Sequence, residues 1–276
     1  VNDSGSNTAF RLFVGKRCTH RGKYCRIDFI KSYGVFAEFY DVLTANIDYK
    51  KRALYFDELI KRHDGKQGGL LLDLACGTGS LSEELDNLGY DIIAVDNSPE
   101  MLGIAMNKKI EHQKNIQYVC QDMRELDLFG NADITVCALD SLNHLKNFKD
   151  LCVVFRKVFM FTEPGGLFLF DINTEYKHKT VLGEHTFIYD ADEVYCVWQN
   201  SCQNSTVNID LDFFVPENDK YLRYSESFQE TAYPLGDVES ALIDTGFEIL
   251  GIYDDDSFEP VRLNSERAVF AVRKGV

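Results

Sequence analysis

No apolar run in this 276-residue chain approaches the roughly 18 to 20 residues that cross a bilayer, and no short apolar segment follows a basic start. Neither a membrane span nor a secretory leader is therefore expected. Positive charge is in deficit: 29 Lys+Arg stand against 44 Asp+Glu, a net −15. A body of that sign repels a phosphate backbone, which argues against a nucleic-acid partner. The eight cysteines (18, 25, 76, 120, 137, 152, 196 and 202) include no two pairs at zinc-ligand spacing, so the sequence offers no metal site. Cys120 and Cys137 lie in apolar, strand-like runs, where a thiol acts as a small hydrophobe; reduced cysteines and a cytoplasmic location are expected. Internal repeats and low-complexity linkers are also lacking. What is present is ordinary globular material, 45% hydrophobic and 26% charged. It is long enough for one large domain with an elaboration.

Charge is unevenly spread. Residues 1–31 carry a local sum of +5, which leaves −20 for the rest. Residues 1–30 are polar, basic and without apolar periodicity, and read as a tail: either a flexible extension or a docking arm for an acidic partner. From Tyr33 the spacing of Phe36, Phe39, Tyr40 and Leu43 is helical, and an amphipathic helix follows over Ala53–Ile60. LLLDLA at 70–75 then opens a strand–helix alternation. It runs through DIIAVD, SPEMLGIAMNKKIE, IQYVCQD, ADITVCALD, NFKDLCVVFRKVFMFT and, after the Pro164-Gly165-Gly166 turn, GLFLFDIN. Buried strands alternating with helices predict an α/β, doubly wound, mostly parallel seven-stranded Rossmann-like sheet, with FEILGIYD and RAVFAVRK as its last two strands. Residues 186–231 break the alternation with four strand-like segments on short polar turns, which predicts an inserted antiparallel sheet. The domain reading is thus 31–185 with 232–276 as one Rossmann-like body and 186–231 as an insertion.

The residues richest in chemistry are Asp73-Leu74-Ala75-Cys76-Gly77-Thr78-Gly79, between the first strand and its helix. Gly77 and Gly79 permit a tight turn and bring a ligand close to backbone N–H groups at a helix N-terminus. Asp96 ends the next strand, where a doubly wound fold presents an acid to ribose hydroxyls. A nicotinamide dinucleotide and S-adenosylmethionine both use those two features. Ser82 stands where a dinucleotide fingerprint prefers a third small residue. Asp73 would repel a pyrophosphate but attract the ammonium and sulfonium end of S-adenosylmethionine.

LLDLACGTG resembles the first motif of the class I S-adenosylmethionine-dependent methyltransferases, and VDNSPEML resembles their second, with Asp96 as the ribose-binding acid. QDMREL resembles the third, in which Asp122 meets the adenine amino group and Met123 supplies backbone and packing. CALDSLNHL and PGGLFLFDIN are similar to the segments after the fourth strand and at the fifth. FAEFYDVLTANIDY resembles the N-terminal lid of a subgroup that includes sugar-amine N,N-dimethyltransferases and many bacterial enzymes, whose inserted sheet corresponds to residues 186–231. The resemblance covers Tyr33 to the C-terminus. It implies cofactor contacts from Tyr40, Asp73, Ala75, Cys76, Gly77, Gly79, Asp96, Asn97, Met101, Asp122, Met123 and Leu139, and a catalytic set of His144, Asp140 and Tyr33.

The resemblance implies transfer of a methyl group from S-adenosylmethionine, with release of S-adenosylhomocysteine, to a small-molecule acceptor, on nitrogen in preference to oxygen. A nicotinamide-dependent oxidoreductase and a non-catalytic cofactor-binding module stay open as alternatives. His144 is a proton acceptor, since a histidine changes charge near neutral pH, or a helix-start residue bonded locally. Asp140 orients an amine or caps its turn, and Tyr33 and Tyr40 touch cofactor or simply pack. No N-P-P-Y-like segment follows the fourth strand, which argues against base amines and glutamine amides as acceptors. Asp254-Asp255-Asp256 reads as a solvated turn, because consecutive residues do not converge on one ion, and Trp198 reads as packing. Monomer and homodimer are not distinguished.

Overall fold

The computed structural model describes residues 34–275; the basic tail (1–30) and Tyr33 lie outside the described residues. Helices α1 (Val35–Leu43) and α2 (Tyr49–Arg62) precede strand β1 (Leu70–Leu74). The alternation then runs α3 (Ser80–Asn87), β2 (Asp91–Asp96), α4 (Pro99–Glu111), β3 (Gln117–Cys120), β4 (Ala132–Cys137), α5 (Phe148–Phe161) and β5 (Thr162–Asn173). Four strands follow, β6 (Thr186–Asp190), β7 (Tyr195–Gln203), β8 (Thr206–Glu217) and β9 (Lys220–Thr231). The chain closes with α6 (Leu235–Thr245), β10 (Phe247–Asp254) and β11 (Arg267–Lys274).

Local chemistry sets the helix ends. Asp48 accepts from the Lys51 N–H at the start of α2, Ser98 from Met101 at α4, and Asn147 from Asp150 at α5. Pro99 occupies the first helical position of α4, where its missing N–H costs nothing. Gly246, at φ 108°, ends α6 in a conformation that penalises any residue with a Cβ.

The main sheet has the order β10-β11-β5-β4-β1-β2-β3. Pairing is parallel except where β11 runs antiparallel to β5 and to β10. Alternate residues of one strand feed opposite faces: Leu72 and Leu74 pack with Phe155, Phe168 and Phe170 beneath α5 and α6, while Leu71 packs with Phe56, Leu59 and Ile60 of α2. The Pro164–Gly166 stretch is not a separate turn. It is the start of β5, with an irregular register against β4 between Ala132 and Ile134. Strand order reverses between β2-β1 and β4, which leaves a crevice at the carboxyl ends of β1 and β4.

Strands β6–β9 form the second, antiparallel sheet, in that order. Opposed residues share a face, so the rows Trp198–Leu211–Glu226, Asn200–Ile209–Phe228 and Cys202–Val207–Glu230 all point the same way. Val207, Ile209, Leu211 and Phe213 of that face are buried in a cluster with Val35, Phe39 and Leu43 of α1. From its C-terminal half α1 also reaches the first glycine turn, where the Thr78 hydroxyl donates to Asp41 at 2.6 Å and Lys108 donates to Asp41 at 3.0 Å.

Candidate active site

The turn after β1 is built from left-handed backbone, with Ala75, Gly77 and Gly79 at φ 63°, 55° and 75°. Nothing lies within 4 Å of the place a Cβ would take on Gly77, so its bare backbone faces open space. A Cβ on Gly79 would instead collide with the Tyr118 hydroxyl. One glycine therefore leaves room for a ligand, and the other lets α3 pack.

Asp96, at the end of β2, secures this turn. Its Oδ2 accepts from the Gly77 N–H and its Oδ1 from the Ser98 N–H, each at 2.8 Å. An ionised carboxylate has about four acceptor positions, so two remain for ribose hydroxyls. Asp96 lines a cavity of about 1150 Å³ at the crevice between β1 and β4. Tyr40, Ala75, Gly77, Asn97, Met101, Asp122, Met123 and Leu139 share that wall, together with Asp140 and His144. Open backbone at Gly77, a carboxylate for a ribose, and the apolar Met101, Met123 and Leu139 for a base together fit S-adenosylmethionine.

Three expected contacts fall elsewhere. The side chain of Asp73 is buried (2% exposed) and accepts from the Ser82 hydroxyl, tying β1 to α3 rather than lining the cavity. Burial pushes its carboxyl up to about 7. Cys76 donates its backbone N–H to Val95 and, like Gly79, lies behind the cavity wall. Asp122 lines the cavity, but Arg124 grips both its oxygens, and that bonding holds the carboxyl below the usual range.

The segment after β4 holds the second half of the cavity. Leu139 and Asp140 both adopt left-handed backbone, at φ 58° and 52°. Each such non-glycine residue costs on the order of 1–3 kcal/mol and persists only where its surroundings demand it. Here the demand comes from Asp171 on β5, fully buried, whose oxygens accept from the Leu139 N–H at 2.9 Å and the Asp140 N–H at 2.7 Å. Arg267 of β11 donates to Asp171 and, at 2.7 Å, to Asp140. Burial alone would raise the Asp140 carboxyl, but Arg267, with Lys177 and His144 behind it, outweighs burial and holds it far below the usual range.

The charged turn at 254–256 is a turn, but its carboxylates are paired. Asp254 meets Arg262 at 2.8 Å, Asp255 meets Arg52 at 2.7 Å, and Asp256 meets Lys51 at 2.9 Å. Arg52 and Arg267 thus link α2, β5, β11 and this turn into one network.

From the second sheet, Trp198, Glu226, Phe228 and Glu230 reach the same cavity. Trp198 packs on Tyr189, with ring centroids 6.1 Å apart, and also forms part of this wall. His144 lies 5.3 Å from Phe228, centroid to centroid, and its Nε2 is 4.0 Å from Glu230. Lys177 lines the cavity beside them and donates to Asn173 at 2.9 Å. Burial lowers its ammonium's pKa.

Asp171, Arg267, Lys177 and Glu230 went unread in the sequence. Only the alternation of Glu226, Phe228 and Glu230 along a predicted strand offered a signal, since it puts two acids and a ring on one face.

A family described as a methyltransferase domain matches residues 71–166. YqeM of Bacillus subtilis (strain 168), named provisionally as a methyltransferase, is 31% identical over 245 residues, 88% of this chain and 97% of that protein. The crystal structure of a S-adenosylmethionine-dependent methyltransferase from Clostridium acetobutylicum ATCC 824 superposes with a TM-score of 0.80 at 36% identity, over 89% of this chain and 100% of that one. The sugar N-methyltransferase KedS8 from Streptoalloteichus sp ATCC 53650 has the same fold, with a TM-score of 0.72 at 19% identity, over 96% and 100% of the two chains.

Proposed function

We propose, for a chain that belongs to the class I S-adenosylmethionine-dependent methyltransferases, that the methyl acceptor is a small molecule and that the atom methylated is nitrogen in preference to oxygen. Family membership sets aside the nicotinamide-dependent oxidoreductase. The observation that carries the proposal is one continuous cavity, with Gly77 and Asp96 at one end and Trp198, Glu226, Phe228 and Glu230 of the second sheet at the other. Its size and its walls on several sides suit a compact acceptor. Its carboxylates and rings suit an amine, because both attract positive charge. The name of KedS8, a sugar N-methyltransferase, points the same way.

When bound, S-adenosylmethionine supplies a methyl group on a positively charged sulfur, a good leaving group. Asp96 would accept from the ribose hydroxyls, while Met101, Met123 and Leu139 flank the base and Asp122 receives its amino group in exchange for Arg124. Asp73, one layer behind, fixes the turn through Ser82. Tyr40 and α1 would cover the cofactor as a lid, anchored by Asp41 at the glycine turn and by the Phe36 N–H, which donates to Glu226 on β9 at 2.8 Å. An amine must lose a proton to attack or to leave methylated; His144 would accept it, with Asp140 and Glu230 orienting the nitrogen. Alignment of this kind is worth about 7 to 11 kcal/mol of barrier in favourable cases.

The test is transfer of labelled methyl to panels of small amines, amino sugars and matched alcohols, with RNA and protein in parallel. Labelled amines are the expected outcome. Label in RNA or protein alone would refute a small acceptor. Cofactor binding without transfer to any panel would identify a non-catalytic module.

A further inference from the structure

At the acceptor end of the cavity, Asp140, His144 and Glu230 each present one ligand atom, and these atoms lie within 4.8 Å of one another. They arrive from separate parts of the chain, two from the segment after β4 and one from β9. The geometry points to a divalent-cation site built by Asp140, His144 and Glu230, with the buried imidazole of His178 set behind Glu230.

Each carboxylate keeps one oxygen clear of its structural hydrogen-bond partner. Arg267 holds Oδ1 of Asp140 at 2.7 Å, and Oδ2 has no hydrogen bond among the described residues. Asn173 donates to Oε2 of Glu230 at 3.2 Å, while Oε1 faces His144. Outer contacts of this sort fix ligand direction and basicity at metal sites.

His178 supplies an independent sign. It is fully buried, and its Nδ1 lies 3.0 Å from the Ser205 carbonyl, so that nitrogen donates. Nε2 is left without a hydrogen-bond partner, 3.5 Å from Oε2 of Glu230. A buried ring nitrogen without a hydrogen-bond partner beside a carboxylate calls for positive charge close by. The nearby ammonium of Lys177 is turned to Asn173, to which it donates at 2.9 Å.

Two carboxylates and an imidazole suit a hard or borderline ion such as Mn²⁺. With three protein ligands, positions remain open toward the cavity for an oxygen or nitrogen donor of the acceptor. That use of the ion rests on the methyl-transfer reading above, and in the ion-loaded chain His144 is a ligand in place of a proton acceptor; the binding itself rests on neither role.

The experiment uses the full, tag-free chain after chelator treatment, with Mn²⁺ alone as the probe. Free Mn²⁺ is counted by electron paramagnetic resonance, and broadening of the His144 and His178 imidazole signals is followed by NMR. One Mn²⁺ per chain, with affinity lowered at least about tenfold in Glu230→Gln and in His144→Ala, is the expected result. No saturable binding, or binding unchanged in both variants, would overturn the site. Binding of S-adenosylhomocysteine by each variant shows that it is folded. If Glu230→Gln does not fold, His144→Ala, at a half-exposed side chain, decides the matter. Cofactor binding without Mn²⁺ binding rejects the cation site alone; loss of both in the wild-type chain would reject the functional reading as well.

Discussion

The buried carboxylate of Asp171 holds Asp140 twice, by accepting its backbone N–H at 2.7 Å and by sharing Arg267 with its side chain. It also accepts from Leu139, so two consecutive left-handed residues are fixed by one side chain on the neighbouring strand. The segment facing both halves of the cavity thus owes its shape to β5. Asp171→Asn removes the charge facing buried Arg267 and one acceptor. A destabilisation of about 3–5 kcal/mol in chemical denaturation is expected, the range for breaking a buried pair. A loss below about 1 kcal/mol would show that the network does not hold this segment.

Asp73 should impose its own pH dependence. Its folded-state value of about 7 lies above the roughly 3.9 of an unfolded aspartate, so the folded chain holds the proton more tightly. Its contribution to stability is fully present below about pH 4 and is lost as pH rises through about 7. Between pH 5 and 8 the wild-type melting temperature should fall relative to Asp73→Asn. Parallel curves for the two proteins would remove Asp73 as the cause.

His144→Ala should leave binding of S-adenosylhomocysteine within twofold of wild type. Turnover with the true acceptor should fall by about 10²- to 10⁴-fold, the usual worth of a positioned proton acceptor. Unchanged turnover would exclude His144 from the chemistry.

Trp198 is the only tryptophan of the chain and lines the cavity from the second sheet. Adding acceptor to the cofactor-loaded protein should change its fluorescence beyond any change the cofactor causes. An unresponsive signal with a turning-over acceptor would place the acceptor elsewhere.

Strands and helices of the main sheet were legible because burial on both faces writes continuous apolar runs, as in LLLDL and GLFLFDIN, and because Ser98-Pro99 marks a helix start by side-chain chemistry alone. The second sheet was legible from its alternation. In the cavity, the places of Gly77 and Asp96 could be read because both depend on local backbone. Asp73 could not be placed: its position in the motif was plain, but its partner, Ser82, is set by how α3 packs. Asp171, Arg267 and Glu230 were invisible for a related reason. Their partners lie far off in sequence (96 residues separate Asp171 from Arg267) and meet only when β11 inserts beside β5.

The most direct test of the cavity's assignment is titration calorimetry with S-adenosylhomocysteine, on the wild-type chain and on Asp96→Asn, with NADH in parallel. The expected result is micromolar binding of S-adenosylhomocysteine, weakened about 10- to 100-fold in Asp96→Asn as charge-assisted hydrogen bonds are lost, and no binding of NADH. Binding of NADH in place of S-adenosylhomocysteine, or affinity indifferent to Asp96, would contradict it.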